Sequence, residues 1–283
     1  MTQHLPGPGS SPQHPPIPSQ VEKIYGSFDL SSVPAFTGGF INFGHWRGIP
    51  ADRPLTEADR LRAEQQLYRL VLGEFERTKG LEAVEVGCGL GLGCALALRE
   101  FGFAEVCGID VHPAQLDRAR IANADVLALH PERLRYVRGA AEAIPLPDRS
   151  ADCLYSVEAA QHFPDLPGFA HEAARVLRPG GRLTLSTFFA RGESGAEALP
   201  RLLPTYSDGL DLPHVIGHFT ETLSGHGFAD VRVRPIGEDI WAAYDRWLAQ
   251  TPLKSLWPRR FLEAYVTGLL DYYLVTADAA TDP

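Results

Sequence analysis

The chain has 283 residues, of which 45% are apolar and 22% are charged, a composition that suits one large domain or a core with a cap. Its formal net charge is -9 and its lysines and arginines form no run. A nucleic-acid substrate is therefore not expected, although acidic solubility explains the same charge equally well. No apolar stretch reaches the roughly eighteen residues of a membrane span, and no signal-peptide pattern begins the chain. We expect a cytoplasmic protein without a membrane partner.

Residues 1–20 are rich in proline, glycine and serine and hold too little apolar surface to offset the entropy of ordering, so we predict a disordered tail. Residues 21–80 are predicted to form an N-terminal helical cap that includes a helix from Thr56 to Lys79. The aromatic residues of this cap follow no regular period: Tyr25, Phe40, Phe43 and Trp46. Aromatic faces attract a cation and exclude water, so we expect these rings at a ligand site. The alternative is that they only fill the cap.

A glycine-rich turn follows the first predicted strand, Leu81 to Val86, and precedes a helix that starts near Leu92. Glycines at 87, 89, 91 and 93 leave the backbone bare where a ligand comes close. The dinucleotide fingerprint Gly-x-Gly-x-x-Gly fits neither register, because its third glycine falls on Leu92 or on Cys94. Glu85 also disfavours a pyrophosphate at this turn and favours a ligand with an amino group. A cationic nucleoside such as S-adenosylmethionine fits better.

The next strands end in groups that carry chemistry. Asp110 closes the second strand about twenty residues after the turn, where an acid reaches ribose hydroxyls. A helix is predicted from Pro113 to Leu129. The fourth strand ends at Val157 and is followed by Glu158 and His162, which one helical turn would place on the same side. Imidazole is well suited to proton transfer near neutral pH, although a structural histidine that closes the turn explains the same spacing.

Three motifs in order resemble those of one family: Glu85-Val-Gly-Cys-Gly-Leu-Gly91, Gly108-Ile-Asp110 and Arg178-Pro-Gly-Gly-Arg182. Together they resemble the class I S-adenosylmethionine-dependent methyltransferases, more narrowly the branch of ubiquinone, sterol and natural-product methyltransferases. The resemblance covers residues 81–189. It implies a Rossmann-like α/β fold, a seven-stranded sheet with one antiparallel strand and a helical, aromatic cap. It also implies S-adenosylmethionine as cofactor and S-adenosylhomocysteine as product.

The resemblance assigns roles to individual residues of this sequence. The cofactor set is Glu85, Gly87, Cys88, Gly89, Gly91, Asp110, Val111, Ala141, Glu142, Val157 and Trp46. The acceptor set is Tyr25, Phe40, Phe43 and His162, and the catalytic set is His162 and Glu158. The chain departs from the family at Ala140, where an aspartate usually bonds adenine, and at Thr187, where some relatives carry an aspartate that pairs with the histidine. We expect Ala141 and Glu142 to recognise adenine, and Glu158 to substitute in the pair.

Residues 81–283 are expected to form the methyltransferase domain, with a substrate-covering insertion at about 190–217 and a last, antiparallel strand near the C-terminus. Four scattered cysteines predict buried free thiols, and no metal site is expected, since His214 and His218 lack a third ligand. We expect methyl transfer to an O, N or C atom of a small molecule in natural-product or other secondary metabolism, by a monomer or homodimer. The alternatives are a methyltransferase-like protein that catalyses a cyclisation or an isomerisation, and a ligand-binding module without catalysis.

Overall fold

A seven-stranded sheet with strand order β3-β2-β1-β4-β5-β7-β6 forms the centre of the protein. The computed structural model of the chain describes residues 16–26 and 29–281, so most of the predicted disordered tail lies outside the described residues. The strands are β1 (Glu82–Val86), β2 (Glu105–Asp110), β3 (Leu134–Arg138), β4 (Ala151–Val157), β5 (Leu177–Ala190), β6 (Phe228–Pro235) and β7 (Leu270–Ala279). The first five strands pair in parallel, and β7 pairs antiparallel with both β5 and β6. The predicted Rossmann-like sheet with one antiparallel strand is confirmed.

Eleven α-helices surround this sheet in the described part of the chain. They are α1 (Ser19–Val21), α2 (Glu57–Leu72), α3 (Leu92–Leu96), α4 (Pro113–Ala122), α5 (Ala124–Leu129), α6 (Leu166–Val176), α7 (Glu193–Leu202), α8 (Pro204–Ser207), α9 (Ile216–Gly225), α10 (Trp241–Leu248) and α11 (Arg260–Val266). One hydrophobic cluster joins one sheet face to α2, α3, α4, α10 and α11, and a second joins the other face to α6 and α9. No described helix has the length and apolarity to cross a membrane.

Several elements differ from their sequence expectation. The helix predicted from Thr56 to Lys79 keeps its Thr56 cap but ends at Leu72. The helix predicted over 113–129 is two helices, because the side chain of Asn123 donates to the carbonyls of Leu90 and Ala119 and breaks the chain direction there. The insertion expected at about 190–217 contains the helices α7 and α8.

The N-terminal segment 16–26 lies across the carboxyl edge of the sheet, although its first residues were predicted to belong to the disordered tail. Arg118 on α4 donates to the carbonyls of Tyr25 (2.8 Å) and Gly26 (2.9 Å). The imidazole of His112 lies 3.2 Å from the carboxylate of Glu22. These contacts hold Tyr25 above the end of β4.

A buried arginine fixes the aromatic segment of the cap onto α2. Arg60 forms an ion pair with Glu64 at 3.0 Å, and neither side chain is exposed. Its guanidinium donates to the backbone carbonyls of Ala35 and Asn42 and lies 5.5 Å from the ring centre of Trp46. A buried charge needs such partners, so this arginine ties the segment before the sheet to the helix that packs beneath it.

Candidate cofactor and acceptor site

The glycine turn between β1 and α3 has a conformation that only glycine tolerates easily. Gly87 has a φ of +77°, and a Cβ there would lie 2.4 Å from the Cβ of Ala159. The amides of Gly87 and Cys88 both donate to the Ile109 carbonyl of β2, at 2.8 and 2.9 Å. Asp110 at the end of β2 accepts a hydrogen bond from the Gly89 amide at 2.9 Å. The turn and the acid therefore form one rigid wall.

A cavity opens above this wall, at the carboxyl ends of β1, β2 and β4, where ligands bind in open α/β sheets. It encloses about 1010 Å³, counting the part open to solvent. Most of the residues assigned from the sequence line it together: Tyr25, Phe40, Gly87, Cys88, Gly89, Asp110, Val111, Ala141, Glu142, Val157, Glu158 and His162. The segment 16–26 contributes Pro16, Pro18 and Val21 to its roof.

Glu85 does not belong to the cavity wall, contrary to the sequence expectation. Successive side chains of a strand point to opposite faces, and its carboxylate points below the turn. It accepts hydrogen bonds from the hydroxyls of Tyr68 (2.9 Å) and Tyr155 (3.2 Å) and from the thiol of Cys94 (2.9 Å). Burial raises the pKa of Glu85 to about 7. This acid supports the wall indirectly, since Tyr68 itself lines the cavity.

Gly91 also lies outside the cavity wall. Its carbonyl accepts a hydrogen bond from the Tyr136 hydroxyl at 3.0 Å. With a φ of +65°, it would place a Cβ 2.4 Å from the Tyr136 ring. Gly91 therefore lets β3 close against the start of α3, and the cofactor contact expected of it stays a prediction.

Phe43 and Trp46 are core residues rather than cavity residues. The Phe43 ring stacks on Tyr244 at 4.6 Å and on Phe188 at 5.4 Å between ring centres. The indole of Trp46 donates to the Phe43 carbonyl at 2.9 Å. Neither side chain lines the cavity, because the segment turns both towards α10, and the ligand contacts expected of them stay predictions. What Phe43 gives the site is its backbone amide, which donates to Glu158 at 2.7 Å.

His162 lies on a short turn after β4, with its ring at the cavity. Its Nδ1 atom is 2.8 Å from the Leu210 carbonyl and 3.3 Å from Oδ1 of Asp211. A carbonyl only accepts hydrogen bonds, so Nδ1 carries the proton and Nε2 carries the lone pair. Nε2 lies 3.0 Å from the Tyr25 hydroxyl and 3.2 Å from the side-chain amide of Gln161. The histidine is thereby fixed in the tautomer of a general base.

The carboxylate beside His162 comes from an element that sequence reasoning did not connect with it. Thr187, at the position of the family's aspartate, instead donates to the Gln161 side chain at 2.9 Å. Glu158, expected to substitute, is not the Nδ1 partner. Asp211, from the insertion after β5, takes that place and is buried. No local pattern marks Asp211, since its partner lies about fifty residues earlier.

Glu158 is a strained and buried acid at the cavity wall. Its φ is +53°, a region that a non-glycine residue adopts only when its surroundings hold it there. The same carboxylate oxygen accepts from the Phe43 amide and from the Tyr272 hydroxyl, each at 2.7 Å. Burial raises the pKa of Glu158 to about 8. This acid links the cap, β4 and β7 at the site.

Other wall residues had no sequence signal of their own: Tyr68, Leu92, Gln115, Phe163 and Pro164. Tyr68 belongs to the helical stripe of α2, which reads as ordinary core. Its hydroxyl bonds Glu85 while its ring lines the cavity. Side chains of this kind are found only when the fold brings distant elements together.

Comparison with known proteins agrees with the geometry. Residues 84–185 match a family described as "Methyltransferase domain". The methyltransferase GfsG of Streptomyces halstedii is 30% identical over 216 residues, which cover 72% of this chain and 74% of that protein. A fatty-acid O-methyltransferase of Mycolicibacterium smegmatis is 34% identical over 143 residues, and this match spans only 50% of either chain.

A solved structure has the same fold. It is the geranyl diphosphate C-methyltransferase of Streptomyces coelicolor A3(2), in complex with Mg²⁺, geranyl-S-thiolodiphosphate and S-adenosyl-L-homocysteine. Its TM-score is 0.79 at 18% identity, with 94% of this chain and 100% of that chain covered. The sheet order, the glycine turn and the strand-end acid are those of a Rossmann-like fold. The chain belongs to the class I S-adenosylmethionine-dependent methyltransferases, in the small-molecule branch.

Proposed function

We propose that the chain transfers the methyl group of S-adenosylmethionine to a hydroxyl group of a small molecule, with His162 as the base that removes the hydroxyl proton. The observation that carries this proposal is the fixed tautomer of His162, a residue of the cavity wall whose Nε2 lone pair meets the hydroxyl of Tyr25 in the same wall. An alcohol is a weak nucleophile until its proton leaves, so an oxygen acceptor gains most from such a base. The sequence left oxygen, nitrogen and carbon open as the acceptor atom, and the presence of this base favours oxygen.

The wall of the cavity suits the cofactor. The bare glycine turn lets a ligand approach the backbone, and Asp110 stands where ribose hydroxyls are bound. Each Asp110 oxygen accepts one backbone amide, from Gly89 or from His112, and keeps a further lone pair for a hydroxyl. We assign Ala141 and Glu142 to the adenine end. When bound, the cofactor supplies an electrophilic methyl group on a sulfonium.

The chain's own residues then place the acceptor and handle its proton. Binding converts the transfer into a step between positioned groups, which lowers its entropic barrier. His162 takes up the acceptor proton at Nε2, and Asp211 stabilises the imidazolium through Nδ1. Asp211 is therefore a positioning residue. The Tyr25 hydroxyl meets the same Nε2 atom at 3.0 Å, so the acceptor hydroxyl has to replace it there, while the rest of the segment 16–26 covers the site.

We propose that the reaction belongs to natural-product or other secondary metabolism. We also propose that the methyltransferase domain spans residues 81–283 and that an insertion at about 190–217 covers the substrate. The test is the release of S-adenosylhomocysteine from S-adenosylmethionine, with a panel of phenols, sugars and polyketide alcohols as acceptors. His162→Ala serves as the inactive control. Product with an added methyl and equimolar S-adenosylhomocysteine supports the proposal. Acceptor conversion without S-adenosylhomocysteine would instead indicate cyclisation or isomerisation, and would overturn it.

A further inference from the structure

The charges of the cavity wall set the chemical class of the acceptor. We propose, resting on the function proposed above, that the acceptor binds un-ionised, as a neutral alcohol or phenol, and that carboxylates and diphosphates are excluded. The relative from Mycolicibacterium is named for fatty acids and the solved structure for geranyl diphosphate. Both names denote acceptors that are anions in water, so membership of the family does not decide the question.

Among the described residues, no lysine or arginine lines the cavity. Three carboxyl groups line it, of which Asp110 and Glu142 belong to the cofactor end assigned above, and this leaves Glu158 beside the acceptor. The side chain there that can become cationic is His162, and its Nδ1 proton is already committed to the Leu210 carbonyl. Nε2 therefore presents a lone pair, which attracts a hydroxyl proton and repels a carboxylate oxygen.

Arginines close to the site are turned away from it by backbone carbonyls. Arg118 is held by the carbonyls of Tyr25 and Gly26. Arg138 donates to the Val111 carbonyl, and Arg60 is paired with Glu64 inside the cap. Recruiting any of them for an acceptor anion would break hydrogen bonds that hold the roof or the cap. These arginines therefore stabilise the fold and are not free to bind an acceptor.

The cost of burying an anion here has no compensation in the wall. An ionised carboxylate taken from water needs a counter-charge or several hydrogen-bond donors. The sulfonium of the cofactor supplies one positive charge and loses it in the transfer, whereas a diphosphate would keep its negative charges throughout. A neutral hydroxyl needs one acceptor, and the Tyr25 hydroxyl shows where it fits, 3.0 Å from Nε2. That phenol stays un-ionised, because burial and nearby acids raise the pKa of Tyr25 far above its usual value.

The natural acceptor need not be known for the test, because the ligands are cofactor analogues to which the acceptor's functional group is covalently attached. Two analogues of S-adenosylmethionine are compared in which nitrogen replaces the sulfur and bears, instead of the methyl group, a propanol arm or a propanoate arm. Their dissociation constants are measured by titration calorimetry near neutral pH, with and without Mg²⁺, beside S-adenosylhomocysteine. We expect the hydroxyl arm to bind at least about tenfold more tightly than the carboxylate arm.

A matched variant checks the cause. Ile41→Lys adds a flexible cation to a wall residue, and it should reduce the ratio between the dissociation constants of the carboxylate arm and the hydroxyl arm. Equal or tighter binding of the carboxylate arm by the wild type would overturn the inference. The inference would also be overturned if S-adenosylhomocysteine bound but neither analogue did, because the acceptor part of the cavity would then reject a hydroxyl group. Failure of S-adenosylhomocysteine itself would overturn the proposed function instead.

Discussion

Replacing Asp211 by asparagine tests the origin of base strength at the site. Asp211→Asn removes a buried charge 3.3 Å from Nδ1 of His162 but keeps the side-chain volume. The Leu210 carbonyl continues to orient the ring, at 2.8 Å. The change should therefore affect the imidazolium that forms during transfer, rather than the binding of either substrate.

The distance sets an upper limit on the effect. Two unit charges 3.3 Å apart interact by about 5 kcal/mol at an effective dielectric constant of about 20. The imidazolium is only partly formed in the transition state, so the effect on the rate is smaller than this limit. We expect a loss of about 1.5 to 3 kcal/mol, or ~10- to 100-fold in kcat.

The assay is S-adenosylhomocysteine release at saturating substrates, followed across pH. We expect kcat to fall with little change in either KM at each pH, because the imidazolium that forms during transfer has lost its counter-charge. Asp208→Asn is the matched control: it is an exposed acid of the same loop, and an amide oxygen can still accept the Leu210 amide. A kcat within about twofold of wild type for Asp211→Asn, or equal losses in both variants, would refute the reasoning.

Three further changes probe the glycine turn, the strained acid and the roof. Gly87→Ala places a Cβ 2.4 Å from Ala159 at a φ of +77°. It should therefore lower the melting temperature and weaken S-adenosylhomocysteine binding by at least ~10-fold. The control is Gly217→Ala, whose Cβ meets no atom within 4 Å and which should change neither quantity. For Glu158, burial raises the pKa to about 8, so the folded state holds a proton that the unfolded state releases near 4.3. The stability that protonated Glu158 contributes is fully present below about pH 4.3 and is lost as the pH rises to about 8. In thermal melts, Glu158→Gln should therefore become more stable relative to wild type as the pH rises through this window. A difference in melting temperature that does not change with pH would contradict the prediction. Tyr25→Phe removes one hydrogen bond to His162, worth ~1 kcal/mol, and should speed S-adenosylhomocysteine dissociation about fivefold in stopped-flow displacement; an unchanged rate would show that the contact does not close the roof.

Local sequence patterns were enough to predict the sheet and its glycine turn. The apolar strand before Gly87 and the acid at Asp110 are separated by one βαβ unit, so their spacing alone brings them together. The same holds for Glu158 and His162, which follow a single strand. Asp110, Glu158 and His162, each at or just after a strand end, line the cavity as expected, whereas Glu85 and Gly91 of the same βαβ unit do not.

Side-chain direction and distant pairing could not be predicted in this way. Glu85 and Phe43 lie close in sequence to cavity residues, but their side chains point away from the cavity. Their orientation depends on Tyr68 and Tyr244, which come from helices distant in sequence. Asp211 reaches the site through an insertion whose path no motif describes. These contacts arise from the packed fold, and the sequence around each residue carries no sign of them.

The central claim, a methyltransferase cavity for S-adenosylmethionine, is tested most directly by titration calorimetry of the purified chain with S-adenosylmethionine and S-adenosylhomocysteine. Wild type and Asp110→Ala are compared, with thermal melts to show that the variant is folded. We expect dissociation constants in the micromolar range for wild type and a loss of at least ~30-fold in the folded variant, since Asp110 both fixes the Gly89 amide and faces the cavity. No binding of either nucleoside by the wild type, or equal binding by the variant, would contradict the account.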